Sequence, residues 1–216
     1  MAAVSETMVR EYFELHGFFV RQQRKTQFRS IKREDEEIDF AVINPHYRAN
    51  GGELPFVLTS EHMKAISRAV VVIKAWHTDT FSPSLLANTP EIFRFLEPAF
   101  FQHAAKAFGS EGKTTTILVV PALPTADEAR TQSIEMLKAK GIDAVIPFWN
   151  IIADLVETTK TNRDYQKSDL LQVIRILKNY DFIKAPQMEL FKLQPIRRKV
   201  RLKKQAAAEK SPAPES

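Results

Sequence analysis

The sequence contains no cysteine among its 216 residues. Thiol nucleophiles, cysteine-ligated zinc, iron–sulfur clusters and a disulfide scaffold are thereby excluded. Only six glycines occur. None is clustered as a dinucleotide-binding fingerprint requires, and no G-x-S-x-G nucleophile elbow is present. No stretch approaches the roughly 18 uncharged apolar residues of a membrane-spanning helix. Residues 1–10 carry Glu6 and Arg10 where a secretion signal needs an apolar core, so a cytoplasmic protein without a membrane partner is expected. Apolar side chains, by contrast, are plentiful. At 44 % hydrophobic and 10 % aromatic, a chain of this length can bury roughly 70 % of its unfolded surface without a staple.

The net charge of +5 is unevenly distributed. Residues 192–216 hold eight basic side chains against two acidic ones, a net of +6. The remaining 191 residues hold 23 against 24, a net of −1. The protein is basic because its tail is basic. Pro195, Pro212, Pro214 and Ala206 to Ala208 give this tail a linker composition, which reads as a disordered segment. Arg197, Arg198, Lys199, Arg201, Lys203 and Lys204 make it either an arm for a polyanion or a solvated tail that aids solubility. In the body, the clearest positive cluster is Arg21, Arg24, Lys25, Arg29, Lys32 and Arg33.

Periodicity predicts a helix over residues 5–16, where Met8, Tyr12 and Leu15 share a face and Gly17 supplies the stop. Short strands follow at 18–20 and 38–42, the second alternating Ile38, Phe40 and Val42 with Asp39 and Ala41. The unbroken β-branched run at 69–73 reads as a strand covered on both faces. A helical pattern over 89–108 contains Pro98, which should kink or split it. Further strands are expected at 114–120 and 143–148, and helices at 126–140, 149–159 and 168–180, the last with Ser168 as N-cap. The expected fold is α/β, a mixed central sheet sandwiched by helices.

Two chemical signals are weak. Residues 107–114 match the second half of a phosphate-binding loop, but Ala107 replaces its first glycine and a strand follows where a helix is needed. The five histidines lack the close spacing that places two imidazoles on one metal. What remains is Glu6, Asp39 and Lys74. Asp39 interrupts an apolar strand and Lys74 ends the most apolar strand, so the two can converge on one sheet edge. A carboxylate that holds Mg²⁺ and a lysine that orients water suit phosphodiester hydrolysis. An inter-strand salt bridge contributing about 0–1 kcal/mol fits the same residues.

The order helix, three strands, helix, strand resembles the core of the restriction-endonuclease-like PD-(D/E)xK superfamily, especially its Mrr-type and Holliday-junction-resolvase-like branches. Glu6 ahead of Leu15-His16-Gly17-Phe18 is similar to that family's helix glutamate and Gly-aromatic strand start. Glu37-Ile38-Asp39-Phe40 resembles its metal-binding strand, and Val71-Val72-Ile73-Lys74-Ala75-Trp76 its lysine-bearing strand. The likeness covers about residues 5–158, including the helix–strand–helix pattern of 137–155. It implies a metal-dependent endonuclease with Asp39 and Lys74 catalytic, Mg²⁺ as cofactor, DNA rather than RNA as partner, and a homodimer.

One position departs from the family pattern. Two residues before the lysine, where the family has a carboxylate, stands Val72, which cannot bind a hard cation. Glu91, on the next helix, is the candidate replacement beside Asp39 and Glu6. Two readings follow: a Mg²⁺-dependent nuclease, or an inactive nuclease-like protein that binds nucleic acid or a protein. A third is an interaction protein whose helix 168–180 docks a partner. The expected organisation is an α/β domain over 1–160, a helical extension over 161–191 and the basic tail over 192–216.

Overall fold

The computed structural model describes residues 2–22, 38–48, 53–97, 108 and 114–183. Helix α1 (Ala2–Leu15) leads into β1 (Phe19–Gln22), β2 (Phe40–Ile43) and β3 (Arg68–Ile73). A short helix α2 (Pro83–Asn88) and a 3-10 segment (Pro90–Leu96) precede β4 (Thr115–Val120). Helix α3 (Asp127–Ala139), β5 (Ala144–Pro147), α4 (Phe148–Thr158) and α5 (Asp169–Asn179) complete the order.

The strands form one five-stranded sheet in the order β1-β2-β3-β4-β5. The first three are antiparallel neighbours, and β3, β4 and β5 run parallel. The expected mixed sheet flanked by helices is therefore present. Along β3, side chains alternate between two separate cores, as a doubly covered strand must. Ala69 and Val71 join one core with Tyr12 and Phe13 of α1, Ile151 and Leu155 of α4, and Leu171 and Ile174 of α5. Val70 and Val72 join the other with Leu86 of α2, Ile92 and Phe95 of the 3-10 segment, and Leu137 of α3. Helix α5 thus packs on the same core as α1 rather than standing apart from it. The outer side of β5 is covered by residues 56–58, where Leu58 N–H donates to Val145 O at 2.8 Å and Val145 N–H to Phe56 O at 2.7 Å.

Local signals explain most boundaries. Gly17 and Gly141 both adopt positive φ, +81° and +93°, which lets the chain leave α1 and α3. Ser168 Oγ accepts the Leu171 N–H at 3.2 Å, the N-cap bond that its position implied. The helix expected over 89–108 is different where it is described. It is a 3-10 segment, which buries Ile92 and Phe95, three residues apart, on one face. Pro98 lies outside the described residues. The final strand ends at Pro147 and Phe148 already opens α4, one residue earlier than the expected helix start.

Candidate functional site

The register brings several chain segments to one end of the sheet. Gln22, the last residue of β1, faces Phe40 at the opening of β2; Phe40 faces Val71; and Ile73 at the end of β3 pairs with Val119, which pairs with Ile146. This is the carboxyl end of the parallel strands, where open α/β sheets generally take ligands.

Asp39 stands at this end. Its N–H donates to Val71 O at 3.1 Å, although Val71 already faces Phe40. Two residues of one strand thus oppose one of the other, the pattern of a β-bulge, which re-aims a side chain. The Asp39 carboxylate Oδ2 accepts the Ile73 N–H at 2.7 Å. Lys74, the next residue, donates its own N–H to Val119 O at 3.0 Å. Asp39 and Lys74 are both half-buried, and the carboxylate lies against the residue that precedes the lysine.

Glu6, on α1, reaches the same end. Its Oε2 accepts from Gln22 Nε2 at 3.0 Å, which hangs it beside the residue opposite Phe40. Glu91 is elsewhere: it is exposed on the 3-10 segment that covers the other face of the sheet. The fold therefore brings Glu6, Asp39 and Lys74 to one end and leaves Glu91 in the opposite layer. Val72 is 1 % exposed within the second core, packed with Val70 and Leu118 rather than turned to solvent. Among the described residues no three His, Asp or Glu side chains form a group suited to a metal ion. At this end Asp39, whose Oδ2 accepts a main-chain N–H, and Glu6 are the carboxylates that would hold a Mg²⁺ ion, which usually keeps several water ligands.

The predicted basic contacts Arg24, Lys25, Arg29, Lys32, Arg33, Arg197, Arg198, Lys199, Arg201, Lys203 and Lys204 lie outside the described residues, as does Glu37. Arg21 is exposed on β1. No described helix is long and apolar enough to cross a membrane.

His77 at this end fits the surface and packing role expected of the histidines. His77, three residues beyond Lys74, is exposed; its Nε2 lies 2.9 Å from Oγ of Ser5, which is only 2 % exposed. Its ring meets Phe148, the first residue of α4, edge-on with centroids 4.5 Å apart. Trp149 follows Phe148 and is 59 % exposed. Nothing in the spacing of these residues announces their meeting, because they come from α1, the loop after β3 and α4. No family model, curated protein or solved structure matches this chain.

Proposed function

We propose that the protein is a nucleic-acid-binding domain with nuclease-like architecture that lacks metal-dependent cleavage. The observation that carries this reading is Val72: the position that would complete the family's metal site is a packed core residue. The arrangement of Asp39 supports it, since that carboxylate closes the β2–β3 ladder as an acceptor for Ile73. Binding is the function that remains, through Lys74 at the sheet end and through the basic residues of the sequence. DNA is the expected polymer and the cytoplasm the expected compartment. The second reading, a Mg²⁺-dependent nuclease, rests on Asp39, Glu6 and Lys74 sharing one sheet end.

The test combines binding and cleavage. Full-length protein is titrated into labelled single-stranded, duplex and branched DNA over a series of salt concentrations, and the same substrates are incubated with Mg²⁺ or Mn²⁺. Salt-dependent binding without cleavage is expected. Removal of residues 192–216 should weaken binding and flatten the salt dependence, by close to one unit of log–log slope for each phosphate that the tail neutralises. Metal-dependent cleavage abolished by Asp39→Ala or Lys74→Ala would establish the nuclease reading instead. Absence of binding to every substrate would remove both.

A further inference from the structure

Helix α5 is apolar on more sides than its packing uses. Leu171 and Ile174 are buried in the first core, with Leu170 packed against it. Its polar side chains turn to the protein as well. Gln172 Oε1 accepts the Tyr165 N–H at 3.2 Å, Arg175 Nε donates to Thr161 O at 3.0 Å, and Lys178 Nζ donates to Val156 O and Thr159 O. All three are half-buried. Val173, Ile176 and Tyr180 are instead 52 %, 45 % and 74 % exposed, and their spacing of three and four residues makes one stripe along the helix. Single exposed apolar side chains are ordinary, but this helix reverses the usual pattern of a surface helix, polar residues outward and apolar residues inward.

We infer that the stripe is a docking surface for the chain's own continuation, the apolar stretch 188–193. The last described residues bring the chain to it. Asp181, at φ +58°, ends α5 with bonds from its own N–H to Lys178 O at 3.1 Å and from the Phe182 N–H to Leu177 O at 2.9 Å. Such a turn takes the chain out of the helix direction, and Ile183 packs against the first core. Between Pro186 and Pro195 the sequence then carries Met188, Leu190, Phe191 and Leu193, ahead of the basic run from Arg197 to Lys204. The reach suffices: Val173 lies about 15 Å back along the helix from Ile183 at ~1.5 Å per residue, and five to ten extended residues cover about 16–33 Å. A tethered segment meets the stripe at an effective concentration in the mM range, which a second copy of the chain matches only at a comparable protein concentration. Docking extends the folded part of the chain to Leu193 and fixes where the basic run begins. It is independent of what the sheet end binds.

The absence of cysteine gives the test a blank background. In the full-length protein Ile176→Cys is combined with Met188→Cys, and disulfide formation with oxidised glutathione is timed at low protein concentration. Val173→Cys with Leu190→Cys is the second pair. Both helix positions are exposed, so an unchanged far-UV circular dichroism spectrum is expected, and the second pair carries the test if the first does not fold. Each pair is then measured again with Phe191→Ser and Leu193→Ser added, which leaves the tether length as it was. A disulfide within one chain is expected in each pair. The two serines should slow its formation at least about tenfold, the ratio that burial of one such side chain implies. Equal rates with and without the serines would overturn the inference, because the tether alone would then account for the encounter. No disulfide in either folded pair would overturn it too. Disulfides mainly between two chains, forming faster as protein concentration rises, would assign the stripe to a second copy instead.

Discussion

Asp39 and Ile73 are joined by a 2.7 Å hydrogen bond from the Ile73 N–H to Asp39 Oδ2, at the point where β2 and β3 part. The same device recurs at the other end of the sheet. Asp143, just before β5, accepts the Thr116 N–H at 2.7 Å through Oδ2, and its own N–H donates to Thr116 O at 3.2 Å. Asp39 likewise precedes a strand and likewise donates its N–H to the neighbouring strand. The second occurrence, remote from Lys74, shows what such an aspartate does without any chemistry: it supplies an acceptor where the main-chain ladder runs out.

Asp39→Ala should therefore destabilise the protein by about 1.5–3 kcal/mol, the range for losing a hydrogen bond to a charged group and leaving an amide without its acceptor. Asp39→Asn keeps an acceptor oxygen and should cost clearly less. Urea unfolding of the two variants checks this. Equal stability of Asp39→Ala and the unmodified protein would mean that Asp39 is kept for function alone.

Much of the fold was legible in the chain because its signals are local. β-branched runs, the stops at Gly17 and Gly141 and the Ser168 cap appear in sequence order. The mixed sheet follows from them because an apolar strand such as β3 must be covered on both faces. One partner of the Asp39 side chain is a main-chain amide 34 residues away, which no residue pattern encodes. The same holds for Ser5 and His77, 72 residues apart, and for the exposure of Trp149 at the start of a helix that also supplies core residues. The departure at Val72 was visible as an identity. That it is a core position follows from the doubly covered strand expected at 69–73; which elements cover it, the 3-10 segment and α3, is shown by the fold.

Tyr12 gives a prediction about pH. Its side chain is fully buried, Oη has no hydrogen-bond partner among the described residues, and burial, aided by the nearby Asp154 charge, raises the hydroxyl pKa well above its usual 10.0. The unfolded chain then loses this proton near pH 10 while the folded chain keeps it. Fewer protons in the unfolded state mean that stability falls as pH rises above 10, by up to about 1.4 kcal/mol per pH unit from this group. Tyr12→Phe removes that component and also an unsatisfied buried hydroxyl. The variant should be as stable as the unmodified protein or more so at pH 7, and its advantage should widen between pH 10 and 11 in parallel denaturant titrations.

Lys178 tests whether α5 is integral to the domain. Its Nζ donates to Val156 O at 2.9 Å and to Thr159 O at 2.7 Å, satisfying carbonyls at the C-terminal end of α4. Lys178→Met keeps the aliphatic stem and removes both bonds. A reduction of about 1.5–3 kcal/mol in global stability is expected, seen as an earlier single transition in urea. A separate early transition confined to α5 would mean that this helix unfolds apart from the rest.

Val72→Glu discriminates most sharply between the two readings of the sheet end. If a metal site like that of the superfamily the sequence resembles were recoverable, a glutamate two residues before Lys74 would complete it and create Mg²⁺-dependent cleavage. The surroundings argue otherwise. Val72 is 1 % exposed in a core shared with Val70, Phe81, Leu118 and Val120, so a carboxylate there would exchange water for hydrocarbon. Burial of such a group costs several kcal/mol unless it is protonated or paired, a large fraction of the roughly 5–15 kcal/mol that holds a domain together. The variant should be strongly destabilised, with a midpoint that recovers partly at acidic pH as the carboxyl is neutralised, whereas Val72→Ile should alter stability far less. Thermal unfolding at pH 5 and pH 8 reads both effects. A Val72→Glu protein that kept its stability at pH 8 and gained cleavage with Mg²⁺ would show that the metal site lacked that one carboxylate only.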